Sequence, residues 1–263
     1  MKKSVDLNNQ NEIGDATSIN RLILVGNGFD LAHGMKTSYG DFILWYFRKC
    51  WEEAKINYKE NILNVRTYKN DLISIEYKVN SSSEKEISTT LDSKNDLNSF
   101  IRNTHKFSTF KIKCTFHSNL ISLLVKSYTN KNWVDIENAY YEELKRILKT
   151  IKELVPSTSD TAIKNLELLN RNFETLKMEL QNYLLTIRVP DGNSLIRDEM
   201  YCVPEEQISG NAQKLELKNT LILNFNYTST TNKYANKNSI LHIHGDLKNE
   251  KKPHYFRLWG RTG

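Results

Sequence analysis

An α/β fold is predicted, with a parallel sheet assembled from both ends of the chain around a large, mostly helical insertion. Three observations predict it. Short apolar runs stand near both ends, at Arg21-Leu22-Ile23-Leu24-Val25, Thr220-Leu221-Ile222-Leu223 and Ser239-Ile240-Leu241-His242-Ile243. Each stops abruptly at a polar or glycine-containing turn, where open α/β sheets place their ligands. Between the first run and the second, apolar residues recur mainly at helical spacing.

Taken in order, residues 1–20 are polar and aperiodic and read as a tail. Residues 21–25 read as the first buried strand. From Tyr39 to Tyr58, Phe42, Trp45, Tyr46, Lys49 and Glu53 fall three and four apart, which predicts an amphipathic helix. Residues 64–112 are less regular: Ile73 to Val79 alternates like a strand, and Ser81-Ser82-Ser83 reads as a loop. Helical periodicity returns over 120–128, 134–154 and 162–187. Pro156 is placed to end the second of these helices, and Ser159 or Asp160 to cap the third. Val189-Pro190-Asp191-Gly192 signals a turn. The resulting organisation is a tail (1–20), a nucleotide-binding-like core (21–48 and 216–263) and a mainly helical insertion (49–215), with no internal repeat.

Composition bounds the function. The chain has 263 residues, with 37 Lys+Arg against 31 Asp+Glu for a net charge of +6. Only 10 Gly and 4 Pro occur, which excludes a collagenous or low-complexity chain. No apolar run reaches the roughly 18–20 residues that span a bilayer, so no membrane partner is expected. The first twenty residues lack the apolar stretch of a signal peptide. Cys50, Cys114 and Cys202 stand far apart, so neither a disulfide framework nor a structural zinc site is expected, and a reducing cytoplasm is the expected location. The pI of 9.0 admits nucleic acid as a partner, but the positive charge is spread, as on a solvated lysine-rich surface.

Three segments carry chemistry. Gly26-Asn27-Gly28-Phe29-Asp30 follows the first strand at once, and glycines there let backbone N–H groups approach a phosphate closely. The segment is not the full G-x-G-x-x-G fingerprint, because Leu31 holds the last glycine position, and a purely structural turn is the alternative. Asn224 and Asn226, with Thr228, end the second strand; their amides suit either a ligand or local turn caps. His242 and His244 alternate on the third strand in a way that suits metal ligation, but no third ligand follows at a suitable spacing, so no metal is expected. His244, beside Gly245, is the candidate for acid–base work near neutral pH.

In order, GNGFDLAHG with Thr37-Ser38-Tyr39, Trp133-Val134-Asp135-Ile136-Glu137, NFNYTST and HIHG resemble the AbiH family of bacterial phage-resistance proteins. That resemblance implies a cytoplasmic protein that answers a phage-derived trigger by stopping growth of the infected cell. The order of motifs is also similar to that of sirtuins, which implies a sirtuin/Rossmann-like core. By that resemblance Gly26, Asn27, Gly28 and Phe29 cradle the pyrophosphate of NAD, with Asn224 and Thr228 lining the same site. Asn226 orients the nicotinamide ribose or a water, and His244 is the base. Thr228 stands where sirtuins carry an Asp, so Asp30 is expected to supply the carboxylate. Because the four-cysteine zinc module of deacylases is missing, cleavage of the glycosidic bond of NAD is expected rather than deacylation. A nucleic-acid-binding or nuclease-type effector and a non-catalytic nucleotide sensor are the alternatives.

After Pro253 the resemblance stops. The family continues with a segment like I-I-F-G-Y-G-D-E-L, whereas this chain reads His254-Tyr255-Phe256-Arg257-Leu258-Trp259-Gly260-Arg261-Thr262-Gly263. Codons CAT TAT TTT CGG CTA TGG GGA CGA ACT GG encode that tail, and read one base along they give the family segment. A frame change just after Pro253 is therefore expected, with the last strands of the sheet lost.

Overall fold

A computed structural model of the chain describes residues 17–59, 62–79, 91–102, 110–131, 135–153, 159–203 and 215–244. The serine loop at 81–83, Pro156, Trp133, Gly245 and the segment around Pro253 lie outside them, as do residues 1–16 of the expected tail. In chain order the elements are β1 (Thr17–Val25), α1 (Asn27–Ala32), α2 (Tyr39–Ile56), β2 (Tyr58–Lys59), β3 (Ile62–Lys69) and β4 (Ile73–Val79). There follow α3 (Lys94–Arg102), β5 (Phe110–Phe116), α4 (Asn119–Lys131), α5 (Ile136–Glu153) and α6 (Ser159–Thr186). The last are α7 (Ser194–Tyr201), β6 (Leu215–Asn224) and β7 (Ile240–His242). Strand β1 starts at Thr17, so the end of the expected tail is already sheet. None of the described helices is long and apolar enough to cross a membrane.

The described residues form two compact units, one from 17–29 with 189–244 and the other from 30–188. The sequence pattern places these divisions later, at 48/49 and 215/216. Helix α2 explains the first difference, because its apolar face belongs to the core of the second unit. Helix α7 explains the other, because Met200 packs against the core of the first.

The first unit is a parallel α/β sheet of order β1-β6-β7. Register sets Ile23, Ile222 and Ile240 side by side, and Leu24, Leu223 and Leu241 side by side on the opposite face. The isoleucine face is the core: Ile222 and Val25 are buried, with Ile23, Phe29, Met200 and Ala235 packed around them. Arg21 anchors α7 here, its guanidinium donating to the carbonyls of Met200 and Cys202. The leucine face differs from the expectation of strands buried on both sides, since Leu24 is 65% and Leu22 58% exposed.

The second unit combines helices with an antiparallel sheet of order β2-β3-β4-β5. The insertion is thus less purely helical than its spacing predicts. Helix α2 begins at Ser38, whose hydroxyl accepts from the N–H of Asp41. Its face of Phe42, Tyr46, Phe47, Cys50, Trp51 and Ala54 is wholly buried. Trp51 lies edge-on to Tyr77 of β4 and Phe100 of α3, each 5.3 Å away between ring centroids. Helices α4, α5 and α6 pack beside this layer.

One turn is fixed by backbone geometry. Helix α1 ends in a Schellman motif, in which the N–H of Gly34 donates to the Leu31 carbonyl (2.9 Å) and the N–H of Met35 to the Asp30 carbonyl (3.1 Å). Gly34 has φ +72°, the left-handed conformation that the motif requires. Gly34→Ala is expected to lower unfolding free energy by about 1–2 kcal/mol in urea titration, although a Cβ there meets no neighbouring atom. A loss below a few tenths of a kcal/mol contradicts this account.

Candidate functional site

The site is built on the carboxyl ends of the parallel strands. The N–H of Phe225 donates to the Val25 carbonyl (2.8 Å) and the N–H of Ile243 to the Asn224 carbonyl (2.9 Å), carrying the ladder past the last side-by-side residues. All three chain segments therefore leave the sheet together. Parallel sheets bind ligands at such ends.

Asn224 is the centre of this arrangement and is fully buried. Its Oδ1 accepts from the N–H of Asn226 (2.9 Å), an Asx turn. Its Nδ2 lies 3.1 Å from the Thr228 carbonyl, 3.2 Å from the Thr231 hydroxyl and 3.1 Å from Nδ1 of His242. The amide is thus engaged within the chain, where it shapes the loop and fixes His242. Asn226, also buried, donates from Nδ2 to the Gly26 carbonyl (3.0 Å), joining the loop after β6 to the glycine turn after β1. Thr228 is buried in the same loop, its hydroxyl accepting from Thr230 (3.1 Å).

The glycine turn is of a different kind. Gly26, Asn27 and Gly28 are exposed, and a Cβ added at Gly26 or Gly28 would meet nothing within 4 Å. Neither has a positive φ. Nothing in the described chain demands glycine at these two positions. They border a groove of about 470 Å³ lined by Ile23, Val25, Phe29, Leu195, Met200 and the carboxylate-bearing Glu199. That volume falls within the range of small-molecule sites, roughly 300–1,000 Å³.

His244 is half-buried just beyond β7, its ring 5.4 Å from that of Tyr227 and 6.1 Å from that of Phe225. His242 and His244 thus face different partners, and no group of three or more metal-ligating side chains occurs among the described residues. Of the residues expected to do chemistry, Asn226 and His244 lie in this unit. Asp30 belongs to the other, buried in α1.

Sequence reasoning missed Glu199, Met200 and Tyr234. Tyr234 stands edge-on to Phe29 at 5.3 Å and accepts from the N–H of Asn193 (2.7 Å), bracing both the glycine turn and the start of α7. The legible signal was Asn193 itself, a helix cap whose Oδ1 accepts from Leu195 N–H at 2.9 Å.

The model of the family described as "Bacteriophage abortive infection AbiH" matches residues 22–256. The chain belongs to the AbiH family. No curated protein and no solved structure matches it. AbiH membership gives the chain a role in bacteriophage abortive infection, and it covers both the glycine turn and the Asn224–Thr228 loop.

Proposed function

We propose that this AbiH chain binds a dinucleotide of the NAD type at the ends of β1, β6 and β7, and acts in phage defence by hydrolysing its nicotinamide–ribose bond. The two open glycines on the lip of the groove carry this reading. Their lack of a Cβ serves no contact within the described chain, and suits a phosphate approaching the backbone of the turn. The apolar wall of Ile23, Leu195 and Met200 suits a flat base, and Glu199 suits a ribose hydroxyl.

In the reaction, a water oxygen bonds to the anomeric carbon as the carbon–nitrogen bond breaks. Its electron pair passes to the pyridinium ring, which leaves as neutral nicotinamide. The water's proton passes to His244, and Asn226 and the Asp30 carboxylate are the remaining candidates for stabilising positive charge on the ribose. Asn224 and Thr228 shape the loop behind the site.

Incubation of the full chain with NAD, read by chromatography, is expected to release nicotinamide and ADP-ribose. His244→Ala is expected to slow turnover about 100-fold or more, the usual contribution of a general base. Glu199→Gln is expected to weaken NAD binding about tenfold, the loss of one hydrogen bond to a charged acceptor. Absence of NAD binding overturns the proposal. Binding without turnover leaves a nucleotide sensor, and salt-sensitive binding of RNA in place of NAD selects the nucleic-acid effector.

A further inference from the structure

A second, separate cavity lies within the helical unit, where the start of α4 meets α5 and α6. It measures about 130 Å³ and is lined by Ser118, Asn119, Glu143, Arg146, Asn165 and Asn172, with Leu168 among its apolar residues. Volume alone gives room for about four waters at about 30 Å³ each. Its polar groups are disposed unusually. Ser118 and Asn172 are each only 3% exposed, yet Ser118 Oγ and Asn172 Oδ1 have no hydrogen-bond partner among the described residues. Ser118 stands at the start of α4, its carbonyl accepting from the N–H of Ser122 (3.3 Å), so a capping bond from its hydroxyl would be ordinary there. Buried polar atoms left unmatched are uncommon and costly, and two of them face the same space here.

The charges around the cavity are already matched. Glu143 is buried, and its carboxylate accepts from Arg146 at 2.7 and 2.9 Å and from Asn119 Nδ2 at 3.2 Å. The Arg146 guanidinium holds its carboxyl below the ordinary glutamate range, so the pair is ionic and nearly neutral in sum. An anionic ligand would meet the Glu143 carboxylate, and a cationic one would compete with Arg146. What the site lacks is a neutral group that donates to Asn172 Oδ1 while exchanging a hydrogen bond with Ser118 Oγ. Hydroxyls on adjacent carbons do both.

We propose that this cavity binds a small neutral polyhydroxy ligand of about pentose size, held by Ser118 and Asn172 and flanked by the Glu143–Arg146 pair. The shared chemistry is the vicinal diol, carried by a free sugar or by the ribose of an unphosphorylated nucleoside.

Saturation-transfer NMR on the full chain, with ribose, adenosine and ribose 5-phosphate as probes, tests this. Ribose or adenosine is expected to bind saturably, with ribose 5-phosphate at least tenfold weaker. Binding of ribose alone identifies a sugar site, and preference for adenosine a nucleoside site. Ser118→Ala and Asn172→Leu are each expected to weaken binding at least tenfold. Leu168→Trp, at a partly exposed lining position, is expected to block it without touching the buried polar groups, and serves if either polar variant fails to fold. No saturable binding of either diol, equal binding of the phosphate, or binding unchanged in the folded variants overturns the proposal.

Discussion

Trp51→Ala is expected to lower the unfolding free energy of the helical unit by about 3–5 kcal/mol, the usual cost of truncating a buried Trp. The side chain is fully buried on the inner face of α2. Its ring fills the angle between Tyr77 and Phe100, so its removal uncovers a strand and a second helix together. Small domains hold only about 5–15 kcal/mol in total, so such a loss takes a large share of the margin. Trp45, on the same helix, is the internal control. It is half-buried, packs on Tyr183 at 5.2 Å and carries Lys49 over its ring at 5.7 Å. Trp45→Ala is expected to cost less than half as much. Urea unfolding followed by far-ultraviolet circular dichroism compares the two. Equal losses, or a Trp51 loss under 1 kcal/mol, would show that the core is centred elsewhere.

That contrast shows where the sequence was informative. Helix α2 was legible because its aromatic residues repeat at the helical period over five turns, and β1, β6 and β7 because each is a short apolar run with a polar stop. β5 was missed, although Phe110-Lys111-Ile112-Lys113-Cys114-Thr115-Phe116 alternates as a strand should. Its lysines and the irregular residues before it drew attention away from the period. Helix α7 was missed because a short helix offers few turns over which to read a period, and its meaning lies in Arg21, more than 170 residues earlier in the chain. The candidate site was legible in position and less so in role. Asn224 and Asn226 look alike in sequence, since each is an amide beside an aromatic. Only the approach of Thr231 and His242 separates the one buried as a bracket from the one that reaches the glycine turn.

Asn224→Leu makes that separation measurable. Leucine keeps the volume and removes the amide, leaving the N–H of Asn226, the Thr228 carbonyl and the Thr231 hydroxyl to find new partners in a buried place. An unmatched buried polar group costs about 1–3 kcal/mol. Their losses overlap within one loop, so the expected fall in stability of the parallel-sheet unit is about 3–5 kcal/mol. His244→Ala removes a half-buried ring held by aromatic contacts and is expected to cost under about 1.5 kcal/mol. The two variants therefore divide stability from chemistry. Asn224→Leu is expected to lose NAD binding and fold together, whereas His244→Ala keeps the fold and the binding and loses turnover. The measurements are hydrogen exchange at β1 and β6 alongside NAD titration. If Asn224→Leu holds full exchange protection while NAD binding falls, Asn224 contacts the ligand directly and the bracket role assigned to it is wrong. If His244→Ala unfolds the strand ends, its ring is part of the scaffold, and the base in the proposed hydrolysis must be sought elsewhere.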